Sequence, residues 1–222
     1  MLRLTELKLP LDHDDSAIRA AILRRLGVAD QDLLSYAIAR RGYDARRRSA
    51  IYLIYTIDIT VADEAALRAR HPDLQPSPDT TYRPVGRAQV GRSLAGFAHR
   101  PVVVGTGPCG LFAALILAQA GFRPIILERG QAVRTRTRDT WDLWRRSVLD
   151  PESNVQFGEG GAGTFSDGKL WSQISDPHHY GRKVLTEFVA AGAPEEILTI
   201  SKPHIGTFRL VSVVEHMRAT IE

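Results

Sequence analysis

One segment constrains this chain more than any other: Pro101-Val102-Val103-Val104 runs directly into Gly105-Thr106-Gly107-Pro108-Cys109-Gly110. The apolar run reads as a buried strand, and a GxGxxG turn that leaves a strand and opens a helix has a specific physical use. Gly105 permits the tight turn, Gly107 lacks the Cβ that would hold a pyrophosphate away, and Gly110 lets the next helix lie against the sheet. Pro108 suits a first helical turn, where its missing N–H is not needed. The helix runs through Leu111, Ala114, Leu115 and Leu117 to a stop at Gly121, and its N-terminus offers free amides and partial positive charge to an anion. A second strand, Pro124 to Leu127, ends on Glu128, placed to accept the hydroxyls of an adenosine ribose. These features predict the phosphate-binding half of a Rossmann-type dinucleotide site. Glu128 would repel a 2′-phosphate in a poorly hydrated crevice, so FAD and NAD remain, and spacing alone does not separate them. Cys109 reads as a small residue tolerated at the helix start rather than a nucleophile.

The remaining chemistry is bounded by composition. At 222 residues, 44% hydrophobic and 24% charged, the chain reads as an ordinary globular protein of two domains. No apolar run reaches the eighteen or so residues of a membrane helix, and no basic-then-apolar signal peptide opens the chain. A cytoplasmic protein without a membrane partner is expected. The single cysteine excludes an intramolecular disulfide, a CxxC redox pair and a Cys-rich zinc site, so redox chemistry must come from a cofactor. Adjacent His178 and His179 suit no metal site, and none is assigned. The formal charge of +4 lies entirely before Pro101. That excess is modest, and nucleic acid is not the expected partner. The competing reading is a non-enzymatic flavin- or NAD-binding module whose basic N-terminal domain binds RNA through Arg40, Arg41, Arg46, Arg47 and Arg48 beside Tyr36 and Tyr43.

Local pattern divides the chain. Leu2, Leu4, Leu7 and Leu9 read as a strand whose alternation slips once, and Asp14, Asp15 or Ser16 caps a helix that Gly27 ends. A weak strand spans Leu34 to Ile38, a clear one alternates from Ile51 to Val61, and a helix covers Asp63 to Arg70. Residues 1–70 are therefore expected as a small α+β accessory domain. Residues 71–100, with Pro72, Pro76, Pro78, Pro84, Gly86, Gly91 and Gly96, read as a linker. Residues 101–222 are expected as the N-terminal part of a Rossmann-type FAD/NAD(P)-binding domain of α/β class. Within it, Ala132 to Leu149 reads as an amphipathic helix with Trp141 and Trp144 in the core. Val184, Leu185, Phe188 and Val189 form a helical stripe closed by Gly192, and a helix from Leu210 to Glu222 has no stop signal, so the chain reads as cut off there.

A second glycine cluster, Gly158-Glu159-Gly160-Gly161-Ala162-Gly163-Thr164-Phe165-Ser166-Asp167-Gly168-Lys169, suits neither helix nor strand. Its amides suit an anion nest or the face of a flat ring, with a flexible loop as the rival reading. Together with Val103 to Leu111, Leu127-Glu128-Arg129-Gly130, the run Glu152 to Leu170, Lys202-Pro203-His204-Ile205-Gly206-Thr207 and an Asp44-Ala45-Arg46 element, this cluster resembles the FAD-dependent dehydrogenase-like flavoproteins, or NAD(FAD)-utilising dehydrogenases, of the glutathione-reductase-like class. The resemblance implies an FAD-dependent oxidoreductase with its pyrophosphate over Gly105, Thr106, Gly107, Pro108, Cys109 and Gly110 and its ribose at Glu128. It also implies Arg129 and Arg136 near the phosphates, and Gly160, Gly161, Ala162, Gly163, Thr164, Asp167 and Lys169 toward the flavin. Members of that family are considerably longer, with NAD(P)H as a candidate electron donor in the full-length protein. Lys169 is a candidate for stabilising negative charge on the flavin or a plain surface lysine, and His204 a candidate proton donor or a structural residue. Substrate and catalytic residues are not legible.

Overall fold

The slip in the first strand has a physical cause. In the computed structural model, which describes residues 1–47, 50–84 and 99–222, β1 (Leu2–Pro10) shifts register against β3 (Tyr52–Val61) between Leu4 and Leu7. Glu6 sits at φ 57° in that bulge, which returns Leu7 and Leu9 to the buried side shared by Leu2 and Leu4. Arg48, Gly86, Gly91 and Gly96 lie outside the described residues.

The chain forms two units, Met1–Thr80 with Leu198–Pro203, and Thr81–Ile197 with His204–Glu222. In the first, α1 (Asp15–Leu26) is capped by the Asp14 carboxylate, which accepts from Ala17 N, and ends at Gly27 in the left-handed region. The weak strand expected at Leu34 to Ile38 is in fact β2 (Leu33–Asp44), a full-length partner of β3. Two register shifts, Leu33/Ser35 and Ile38/Arg40, scramble the alternation that would have shown its length. After α2 (Glu64–Arg70), capped by Asp63, Leu74 is buried and β4 (Gln75–Pro76) pairs with β1. The unit thus runs to Thr80, past the composition boundary at Arg70.

Its antiparallel sheet has the order β2-β3-β1-β4, the β-α-β-β-α-β arrangement of ferredoxin-like units. Ile18, Ile22, Leu26 and Leu67 from the helices share one core with Leu53, Tyr55, Ile57 and Ile59 of β3. On the opposite face Arg3 donates to Asp58 at 2.7 and 2.8 Å, and Ser77 Oγ joins the same carboxylate. The outer edge of β2 is met by residues 199–201: Arg41 N donates to Thr199 O and Ser201 N to Arg41 O, which occupies edge groups that would otherwise stay unpaired.

In the second unit β5 (Val102–Val104) and β6 (Ile125–Leu127) pair in parallel, joined by α3 (Pro108–Gln119). The buried-strand reading of Val102 to Val104 does not hold. Val104 is 81% exposed and Leu127 54% exposed, while Val103 and Ile126 are partly covered, because among the described residues protein packs mainly against one face of this sheet. The core is built by Leu111 and Leu115 of α3, Val133 of α4 (Val133–Arg146) and Leu210, Val213, Val214 and Met217 of α6 (Thr207–Ile221). Leu185 and Phe188 of α5 (Tyr180–Ala190) pack against it.

The tryptophans are a correction. α4 turns Val133, Arg136 and Thr140 inward, which leaves Trp141 and Trp144 exposed. They pack edge-on to each other, Trp144 reaches Phe165, and Arg145 lies over Trp141. No helix among the described residues is long and apolar enough to cross a membrane.

Candidate functional site

Gly105 leaves β5 at φ +90°, a conformation open to glycine and strained for other residues, and its N–H donates to Leu127 O at 2.7 Å. A Cβ on Gly110 would fall 1.9 Å from Gly105 O, so the third glycine is the one on which close packing of loop and helix depends. α3 begins with Pro108 and has no side-chain cap. The N–H groups of its first turn are therefore available to an anion.

Glu128 is fixed across this loop. Thr106 donates its N–H and its hydroxyl to Oε2, at 2.7 and 2.6 Å, and Gly130 N donates to Oε1 at 2.8 Å. Burial pushes the carboxyl upward, but the donors from Thr106 and Gly130 outweigh it and hold Glu128 below the usual glutamate range. It is ionised at neutral pH. Two donors fill Oε2, whereas Oε1 retains a lone pair that can accept a ribose hydroxyl. A cavity of about 250 Å³ opens at this point, lined by Thr106, Glu128, Gly130, Glu159 and Arg218 among others.

The second glycine cluster folds back onto the first. Gly160 N donates to Thr106 O at 2.8 Å, and a Cβ on Gly161 would lie 2.8 Å from Pro108 Cδ. The nearest atom to a Cβ on Gly107 would be Gly161 Cα, at 3.9 Å. Residues Ala162–Phe165 form a 3-10 turn that buries Thr164, whose hydroxyl has no hydrogen-bond partner. Pro108, Gly160, Gly163, Thr164, Lys169 and Met217 line part of a mainly apolar cavity of about 450 Å³, within the size of small-molecule sites. Gly161, Ala162 and Asp167 are not on its wall. Asp167 pairs with Lys169 at 3.1 Å, so the Lys169 charge is partly neutralised. His204 is exposed and bridges the Lys169 backbone.

Arg136 and Arg129, which the resemblance implies near the phosphates, both have partners within the protein. Arg136 is fully buried and donates to Asn154 O, Glu159 O, Gly161 O and Val155 O at 2.7–2.8 Å. These carbonyls turn the guanidinium into the support of the first part of the glycine cluster and of the residues before it. Burial draws its pKa down, against the charges of Glu128 and Glu159. A Cβ on Gly158 would meet Arg136 Cδ at 2.5 Å, which makes that glycine part of the same support. Arg129 is an exposed partner of Glu152 and lies over the Phe157 ring. Cys109 is exposed.

Two residues escaped the sequence reading. The Glu159 carboxylate accepts from Val133 N at 2.7 Å, at the start of α4, and from Arg218 at 2.8 and 2.9 Å. Being the one charged residue between Gly158 and Gly163 was its only sequence signal. Arg218, on the distant α6, had none.

The donor set therefore fits a dinucleotide: an uncapped helix start, an ionised Glu128 at one cavity, and an orphaned buried hydroxyl with a glycine-built turn at the other. Residues 100–140 match the family model described as "FAD binding domain", and residues 1–60 match one described as "Domain of unknown function (DUF8436)". An "Uncharacterized protein" of Clostridium beijerinckii is 39% identical over all 222 residues; the chain spans 40% of that relative's length. The match over residues 100–140 supports an FAD-binding flavoprotein.

Proposed function

We propose that this chain carries the nucleotide grip of an FAD-dependent oxidoreductase of the dehydrogenase-like class. The observation that carries the reading is Glu128, clamped by Thr106 and Gly130 beside an uncapped helix N-terminus, in the segment that matches an FAD binding domain. The first-turn N–H groups of α3 would hold the pyrophosphate, and Glu128 Oε1 would accept from the ribose. Thr164 would offer its hydroxyl at the larger cavity, with Lys169 at that wall bringing a charge tempered by Asp167. When bound, FAD would supply hydride or electron transfer, while the chain binds and orients it. NAD at the same loop is the weaker reading, since both the family match and the second cavity favour the larger cofactor. NAD(P)H then has the place of a candidate electron donor. RNA binding has less support, because Tyr36 packs against the first unit's core and Arg40 Nε is directed to Ser201.

Expression of the complete gene and a visible spectrum of the purified protein test the proposal. Flavin absorbance, present on purification or acquired on adding FAD, is the expected result. A colourless protein that takes up no FAD would overturn it.

A further inference from the structure

The first unit contains a concavity that the flavin reading does not use. It lies where β2 ends and β3 begins, has a volume of about 460 Å³, and is lined by Lys8, Asp44, Arg46, Arg47, Ala50 and Tyr52. Strand register explains the grouping. Asp44 pairs with Tyr52 across β2 and β3, and Lys8 pairs with Ile54, two residues along β3 from Tyr52. Side chains two apart on a strand share a face, so Lys8, Asp44 and Tyr52 meet on the side of the sheet opposite the helices.

Asp44 organises the charges. Its oxygens accept from Arg46 Nε at 2.7 Å, Arg46 Nη2 at 2.6 Å and Lys8 Nζ at 3.2 Å, and its side chain is 11% exposed. Its lone pairs are thus directed at the two cations, whose remaining N–H groups stay available. Arg47 is exposed and its side chain has no ion pair among the described residues. Lys8, Arg46 and Arg47 outnumber Asp44 on the wall and Glu6, which also acts on the Arg46 charge, so the hollow keeps a positive surplus that suits a phosphomonoester. Tyr52, 39% exposed, adds a ring face on which a planar base can stack.

We propose that this concavity binds the phosphate of a nucleotide-sized phosphomonoester, with its base against Tyr52. Convergence of the cations into one hollow favours a small ligand over an RNA strand. A strand would need a track of charge and stacking platforms across the open sheet, and the centre of that face is occupied by Arg3, Asp58 and Ser77.

Calorimetric titration of the purified chain with AMP, inorganic phosphate, adenosine and an RNA ten-mer tests this. AMP should bind and adenosine should not. Lys8→Gln and Arg47→Gln should each weaken AMP about tenfold, the scale of one lost charge-assisted contact. Tyr52→Leu should weaken AMP but leave phosphate unchanged. Glu128→Ala should remove at most the AMP that can occupy the flavin grip and leave the Lys8- and Arg47-dependent AMP binding intact, and Arg47→Gln should leave FAD binding intact, which separates this site from the flavin site. The exchanged lysine and arginine are exposed, and circular dichroism verifies that each variant folds. Absence of AMP binding at millimolar concentration, loss of all AMP binding in Glu128→Ala, indifference to both charge removals, or RNA binding far tighter than AMP would each overturn the proposal.

Discussion

At Glu128 three hydrogen bonds orient the carboxylate before any ligand arrives, and such preorganisation lowers the ordering cost of binding. Glu128→Ala should weaken FAD by about 1.5–3 kcal/mol, the scale of a charged hydrogen bond, or roughly 10- to 150-fold in Kd by titration. The same bonds set a pH dependence. Since the folded pKa of Glu128 is depressed, its stabilising contribution is fully present above the unfolded value near 4.3 and is lost as pH falls through the lower folded value. The stability gap between wild type and Glu128→Gln, read from urea melts, should therefore stay level from pH 7 to about 5 and narrow below about 4.3. Arg136→Lys should not be conservative, because a lysine cannot span the four carbonyls that the guanidinium reaches. A loss of about 3 kcal/mol or more is expected, and a thermal melt within a degree of wild type would refute this supporting role.

Among the elements, those with local punctuation were the legible ones. The helix α1 carries its own start and stop, Asp14 and Gly27, and the structure uses both. Asp14→Ala should lower the melting temperature, because Ala17 N loses its capping acceptor. The slip between Leu4 and Leu7 was likewise visible and proved to be a bulge. β2 was legible only in part, since its two register shifts destroy the period-two signal. β4 was missed because two residues, one of them proline, leave no pattern to read. The exposure of Trp141 and Trp144 follows from helix rotation: Arg136, satisfied by loop carbonyls, takes an inward position that a hydrophobic pattern assigns to apolar residues.

For the whole molecule, the strand–loop–helix–strand unit was legible because its parts are contiguous, from Val102 to Glu128. What joins distant segments was not. The pairing of residues 199–201 with the edge of β2, and the meeting of Arg218 with Glu159, depend on tertiary closure that no local window contains. The resemblance placed Gly160 and Thr164 toward the flavin without showing that they line a cavity with Pro108 and Met217.

The central claim is a loop and an acid that together hold FAD. Its most direct test is a calorimetric titration of FAD into the apo form of the protein expressed from the complete gene, alongside Glu128→Ala and Gly110→Ala. Saturable 1:1 binding is expected, weakened roughly 10- to 150-fold by Glu128→Ala and abolished by Gly110→Ala, whose Cβ would strike Gly105 O at 1.9 Å. Absence of saturable FAD binding, or equal affinity in wild type and both variants, would contradict it.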